Sequence, residues 1–207
     1  MRGIKDIMRL VLDTETISVA KRLVYDLGYV IADNDGNIIK QKSYVISQVY
    51  NNKELFATCY YSNKRPLYEE RLKSGYSKKV GWGNAVRYLA NDIKRYGITE
   101  IYAYNSDFDT KALAFTSTWF GAVNPLGSME ILDIMDFIKP ITSTKEYMDF
   151  CESNGFMTKT KKPRPQQKAE TLYRYLTNNK DYEEEHTGLE DSKIELEILL
   201  TALGLLE

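Results

Sequence analysis

The sequence is short of cysteine, short of histidine and almost without net charge. Among its 207 residues are only two cysteines, Cys59 and Cys151, isolated from each other. That spacing excludes a disulfide scaffold and the paired thiolates of a metal or redox motif, and it fits a reducing, cytoplasmic setting. The 28 Lys and Arg residues nearly cancel the 29 Asp and Glu residues, leaving a formal charge of −1. The molecule as a whole is therefore no polyanion binder, and any nucleic-acid contact has to be a local patch. No stretch approaches eighteen uninterrupted apolar residues, and Met1 to Asp6 carry no apolar signal run, so no membrane span or export signal is expected. There is no internal repeat and no dividing linker. What is present is 43% apolar residues, 28% charged residues and sixteen tyrosines, the composition of a globular chain with one sizeable core. Residues 1–207 read as a single domain.

The chain is organised around Arg9-Leu10-Val11-Leu12-Asp13-Thr14-Glu15-Thr16. This reads as a short apolar strand over residues 8–13 that ends in two carboxylates. Residues two apart on a strand share a face, so Asp13 and Glu15 project together. They repel unless something positive lies between them, and a divalent cation is the usual solution. Taken alone, Asp-x-Glu also fits a plain strand-to-loop junction.

Residues 22–32 are rich in β-branched and aromatic types and predict a second strand. Asp33-Asn34-Asp35-Gly36-Asn37 is a hairpin turn signal, and residues 38–47 return as a third strand in an antiparallel meander. Residues 50–76 suggest one or two short helices broken near Pro66. A helix over 84–96, capped by Gly97, leads into a strand at 101–104, which implies a crossover and a mixed sheet. Ser106 is a plausible N-cap for the next helix and would place Asp109 in its first turn. Asp133 and Asp136, in the apolar run 131–138, read as strand-flanking or capping groups. A helix over 143–154 precedes a basic, proline-broken stretch, residues 157–168. That stretch reads either as a phosphate guide or as a solvated loop. Short and long helices then follow at 169–176 and 187–206.

Thr187-Gly188-Leu189-Glu190 matches a capping box, with Thr187 as cap and Glu190 reaching back. That register places Asp191 on the stripe of Ile194 and Ile198, facing inward, where a carboxylate needs a partner or a metal. His186, the one histidine, lies just outside this helix. Asp13, Glu15, Asp109 and Asp191 thus form a set of carboxylates able to converge on two divalent cations, and hard oxygen ligands suit Mg²⁺ or Mn²⁺. Such a site suits in-line displacement at phosphorus, with His186 near its ordinary pKa to take the proton of the attacking water.

These stretches resemble the motifs of the DEDDh (DnaQ-like) family of 3′→5′ exonucleases, the group of the polymerase III proofreading ε subunit, ribonuclease T and oligoribonuclease. Leu12-Asp13-Thr14-Glu15-Thr16 resembles the first motif, Asn105-Ser106-Asp107-Phe108-Asp109 the second, and His186-Thr187-Gly188-Leu189-Glu190-Asp191 the third. The resemblance spans about residues 8–204. It implies a ribonuclease H-like α/β fold, with a mixed five-stranded sheet and helices on both faces. It further implies metal-dependent hydrolysis from a nucleic-acid 3′ end, releasing nucleoside 5′-monophosphates. By carry-over, Asp13, Glu15 and Asp191 would hold the catalytic ion. Asp13, with Asp109 through water, would hold the second. His186 would act as base, and Glu15 would also touch the terminal 3′ hydroxyl. Thr14, Thr16, Ile17, Asn105 and Phe108 would lie near the terminal nucleotide, with Ile17 or Phe108 packing on a base. Two positions depart from the family pattern. Ile17-Ser18-Val19-Ala20 stands where Gly and Leu often follow the first motif, and Gly188 replaces the usual Ala, which should loosen the turn beside His186.

The expected substrate is a single-stranded or frayed 3′ end of DNA, with a separate polymerase or other replication partner if the protein proofreads. The same chemistry on RNA is the first alternative. A catalytically silent nucleic-acid-binding module of the same fold is the second.

Overall fold

A computed structural model of the chain describes residues 7–206; the reading of Met1 to Asp6 as free of a signal run lies outside them. Strands β1 (Arg9–Thr16), β2 (Val24–Ala32) and β3 (Ile38–Ile46) come first. The short helices α1 (Ser47–Tyr50) and α2 (Lys53–Ala57), a 3₁₀ turn (Ser62–Lys64) and α3 (Arg65–Ser74) follow. Next come β4 (Lys78–Val80), α4 (Trp82–Tyr96), β5 (Glu100–Ala103) and α5 (Ser106–Trp119). The chain continues through β6 (Ile131–Asp133), α6 (Ile134–Phe137), α7 (Lys139–Thr142) and α8 (Lys145–Asn154), then α9 (Ala169–Leu176) and α10 (Gly188–Ala202). Among the described residues no helix is long and apolar enough to cross a membrane.

The sheet is mixed, in the order β4-β3-β2-β1-β5-β6. β1, β2 and β3 form the expected antiparallel meander, while β5 runs parallel to β1 and β6 parallel to β5. The sheet has one strand more than the five expected. The extra one is β4, three residues parallel to the end of β3, too short and too lysine-rich to show an apolar pattern. Alternation along β1 divides the core. Leu10 and Leu12 face the layer of α4 and α5 with Leu89 and Leu113. Val11 faces the opposite layer with Leu189, Leu196 and Leu199 of α10. A third apolar cluster, around Tyr25, Phe56 and Tyr68, roots the segment from α1 to α3 against the sheet.

Local signals account for most element boundaries. Gly36, Gly97 and Gly155 take positive φ where a turn or helix end requires it. Pro66 does not break a helix: it sits in the first turn of α3, where its missing N–H costs nothing. Asn105, not Ser106, caps α5, in a left-handed conformation that asparagine tolerates. The 157–168 stretch is a small hairpin rather than an open loop. Met157 bridges Pro165, and Thr158 N–H donates to Arg164 O at 2.8 Å.

Candidate active site

The period of two along β1 explains how the acidic groups meet. Strand β1 does not stop before its carboxylates but runs through them to Thr16. Asp13 and Glu15 continue the Val11 face toward α10, whereas Thr14 points the other way, toward α5. There the Thr14 N–H and hydroxyl both donate to Asp109 Oδ1, at 2.9 and 2.7 Å. Because β5 is parallel to β1, with Val11 opposite Tyr102, the turn after β5 delivers the first turn of α5 to the end of β1. Asp109 is buried there, while Asp107 is exposed and paired with Lys111.

Asp191 arrives on the first turn of α10, buried as its stripe with Ile194 and Ile198 requires. The expected capping box is absent. Thr187 Oγ1 instead donates to Glu185 and accepts from Arg71 Nη1 at 2.9 Å. Glu190 turns to Tyr76 and Lys193. A guanidinium within reach of Thr187 outcompetes the local reciprocal cap. The orphan N–H of Gly188 goes to the buried Asp26 Oδ2 of β2 at 3.0 Å, and that oxygen also accepts from Tyr68. Gly188 does not loosen this turn. A Cβ there would lie 2.5 Å from Gly28 N and 2.9 Å from Asp13 O, so the glycine lets α10 start directly against β1 and β2.

One ligand atom each from Glu15, His186 and Asp191 lie within 4.8 Å of one another. Burial, reinforced by the surrounding carboxylates, raises Asp13, Glu15 and Asp191 well above the ordinary carboxylate range. Burial also pushes Asp109 up to about 7, although its bonds from Thr14 oppose this. Asp13 Oδ2 and Asp191 Oδ1 are buried and have no hydrogen-bond partner. Buried carboxylate oxygens without partners, aimed into a cluster of like charge, are costly in the absence of a cation. The donor set therefore fits a hard divalent ion: carboxylate oxygens, with one imidazole nitrogen at the edge.

His186 sits at φ 52°, before α10, with its ring stacked on Tyr61 at 4.5 Å. Its Nδ1 lies 3.4 Å from Glu184 Oε2. Burial, helped by Lys64, lowers its pKa, so the neutral imidazole persists below its ordinary titration range.

Several groups escaped the sequence reading. Glu195 is buried one turn beyond Asp191, accepts the Tyr104 N–H at 3.3 Å and is raised by burial and by Asp109 and Asp191. Its spacing of four from Asp191 was a usable signal. Glu184, pushed up to about 7 by burial and Glu170, and Lys64 join the cluster from irregular segments that no periodicity marks.

Beside Glu15 a cavity of about 640 Å³ is lined by Thr16, Val19, Tyr60, Tyr61 and Phe108, with Arg22 over the Phe108 ring at 5.4 Å. Ile17, expected to pack on a base, is only 3% exposed and belongs to the cluster of Tyr25 and Phe56. Strand alternation, continued past Thr16, turns it inward; the register shift at Glu15/Thr16 puts its extra residue, Tyr25, in β2. Thr14 is buried with its hydroxyl on Asp109. Asn105 is exposed at the helix cap, its N–H on Asp133 Oδ1 at 3.0 Å. That same oxygen caps α6, while Asp136 pairs with Lys139 in solvent.

Together the order of strands, the flanking helices and the acidic end of β1 define a ribonuclease H-like α/β fold. No protein-family model matches the sequence, and no curated protein matches it significantly. Solved structures do match. Exonuclease I from Methylocaldum szegediense is similar over 94% of this chain and 40% of its own, with a TM-score of 0.57 and 13% identity. E. coli exonuclease I in complex with a dA16 oligonucleotide is similar over 94% and 41%, with a TM-score of 0.56 and 13% identity. A product-bound exonuclease I gives a TM-score of 0.53 at 12% identity, over 95% and 44%. The chain thus spans about two fifths of the length of the exonuclease I structures whose fold it shares.

Proposed function

We propose that residues 1–207 form one exonuclease domain of the DEDDh (DnaQ-like) type, hydrolysing phosphodiester bonds from a nucleic-acid 3′ end. What supports the reading most is one observation: carboxylates from three distant segments, β1, α5 and α10, converge, with buried oxygens of Asp13 and Asp191 left without partners. Asp13, Glu15 and Asp191 would hold one divalent cation, Mg²⁺ or Mn²⁺, and Asp13 with Asp109 a second. When bound, the pair supplies charge neutralisation for in-line displacement at phosphorus.

In this reading the chain's own groups do the rest. Phe108 and Thr16 bound the cavity that takes the terminal nucleoside, and Phe108 offers an aromatic edge to its base. Glu15 orients the terminal sugar. His186 accepts a proton from the attacking water as the water oxygen bonds to phosphorus. The bond from phosphorus to the 3′ oxygen breaks, that oxygen takes a proton from solvent, and a nucleoside 5′-monophosphate leaves. Glu184, beside Nδ1, steadies the imidazole as it becomes charged.

Single-stranded DNA is the first substrate to test, because exonuclease I of the same fold is seen with a dA16 oligonucleotide. Exonuclease I is also seen with SSB, so a separate replication partner belongs to the proposal. The test is a digest of matched 5′-labelled DNA and RNA strands with Mn²⁺ and with chelator. The expected result is shortening from the 3′ end with mononucleotide release, dependent on metal. Faster loss of the RNA strand would favour the exoribonuclease alternative. Absence of any metal-dependent release would favour the silent binding module.

Two further outcomes follow. His186→Ala should lower kcat by about 10²–10⁴-fold, the range for loss of a general base, while Mn²⁺ affinity measured by calorimetry stays within severalfold. The hairpin carrying Lys161, Lys162 and Arg164 is exposed, and none of the three is ion-paired among the described residues. Neutralising all three should raise KM on long strands and flatten its salt dependence. An unchanged salt slope would assign the hairpin no phosphate contact.

A further inference from the structure

We propose that Tyr61 is a positioning residue for His186, holding the imidazole by its ring face. This rests on the reading of His186 as the proton acceptor. The residues before α10 have no regular structure to hold them. His186 lies between helix and loop at positive φ, a conformation that non-glycine residues adopt at a cost. Within residues 184–187 Glu184 meets only the ring's edge, its Oε2 3.4 Å from Nδ1, which leaves the ring face unsupported. The support comes from the 3₁₀ turn and α3. Lys64 Nζ donates to Glu185 O. Arg71 pairs with the Glu185 carboxylate and donates to Thr187 Oγ1 at 2.9 Å. These contacts bracket His186 on both sides and leave the face of its ring to Tyr61. The two rings stack with centroids 4.5 Å apart and planes 12° from parallel.

Tyr61 is itself held. Its carbonyl accepts Lys64 N–H at 3.0 Å, and the N–H of Tyr60 donates to Ile17 O at 3.2 Å, in the segment that follows β1. The Tyr60 ring meets it edge-on at 4.8 Å, and the Lys64 ammonium lies 4.6 Å from its centroid. The strand end that carries Glu15 and the ring that carries His186 are thus tied to one short segment. A base held to a fraction of an ångström keeps its geometry toward the attacking water, and a displacement of about 1 Å costs about 10²-fold in rate. Stacking uses the face of the ring and not the hydroxyl, so phenylalanine should serve.

His186 is the only histidine, so the full chain gives one imidazole carbon–proton correlation set, assignable without ambiguity. In wild type its ring protons should resonate upfield under the Tyr61 ring current. Tyr61→Phe should keep that shift and Tyr61→Ala should lose it. In kinetics on a single-stranded DNA substrate, Tyr61→Ala should lower kcat about tenfold or more, a larger change than that in KM, which Tyr61 also reaches as a wall of the cavity beside Glu15. Tyr61→Phe should restore most of kcat. In a His186→Ala background Tyr61→Ala should have no further effect, because groups acting as a unit are non-additive. Unchanged imidazole shifts in Tyr61→Ala would overturn the proposal. So would an equal loss of kcat with and without His186, or a loss expressed wholly in KM, which would make Tyr61 a nucleobase contact. A wild-type chain without nuclease activity would remove the reading of the site, while the resonance shifts would still decide the stack.

Discussion

Replacing Asp13 with asparagine should abolish hydrolysis and at the same time stabilise the cation-free protein. The two effects have one cause. Asp13, half-buried with its Oδ2 fully enclosed, sits among Asp109, Glu195, Asp191 and Glu15, and its raised pKa records how unfavourable its charge is there. A carboxylate whose folded pKa lies above its unfolded value of about 3.9 favours folding only below that value and opposes it as pH rises through the folded pKa. Without cations, the acidic cluster should therefore weaken the fold progressively above about pH 4. The loss should pass through the ionisation of Asp109, at about 7, and continue as the other raised carboxylates ionise. Asp13→Asn removes one charge from that repulsion. The gain should be about 1–3 kcal/mol near pH 8, the scale of an uncompensated buried polar group, and smaller near pH 5. Saturating Mn²⁺ should raise the Tm of wild type and do so far less in the variant. A variant that is inactive yet no more stable than wild type at either pH would show that the buried charge is already compensated within the protein.

The second large effect lies away from the chemistry. Gly28→Ala should destabilise the fold by about 3 kcal/mol or more, a magnitude reserved for changes the core cannot absorb. A Cβ at residue 28 would stand 1.9 Å from Gly188 C and 2.0 Å from Leu189 N. Both are backbone atoms, so the start of α10 must move. Asp191 lies three residues beyond Gly188 and moves with it, so activity should fall even where the variant folds. Gly188→Ala should act in the same direction and more mildly, because its tightest contacts are 2.5 Å and longer. Urea melts and metal-dependent turnover measure the two effects separately. A Gly28→Ala protein of wild-type stability and rate would mean that α10 tolerates displacement from β2.

Much of this was legible in the residues, and what was not had physical reasons. The antiparallel meander showed in β-branched runs broken by Asp35-Gly36. The inward face of α10 followed from Ile194 and Ile198. The stations of Asp13, Glu15, Asp109 and Asp191 could be marked from strand ends and first turns. The capping box failed because Thr187 and Glu190 have partners, Arg71 and Tyr76, more than a hundred residues away. Local reciprocity competes with such contacts and cannot see them. Ile17 was misplaced because the apolar cluster that takes it, around Tyr25, Phe56 and Tyr68, is assembled from segments distant in sequence. Lys64 and Tyr61 were invisible because a segment without periodicity reveals its direction only once the sheet fixes its ends. Gly188 was read as a loosened turn when it marks a close backbone approach, a distinction that depends on Gly28 lying opposite.

The central claim is that these acidic groups form a cation site and not merely a buried cluster. The most direct measurement is Mn²⁺ binding to the full chain at neutral pH, followed by electron paramagnetic resonance, in wild type and in Asp13→Asn. The expected result is uptake of two ions per wild-type chain and loss of most of that uptake in the variant. A wild-type chain that leaves all the Mn²⁺ free in solution would contradict the account.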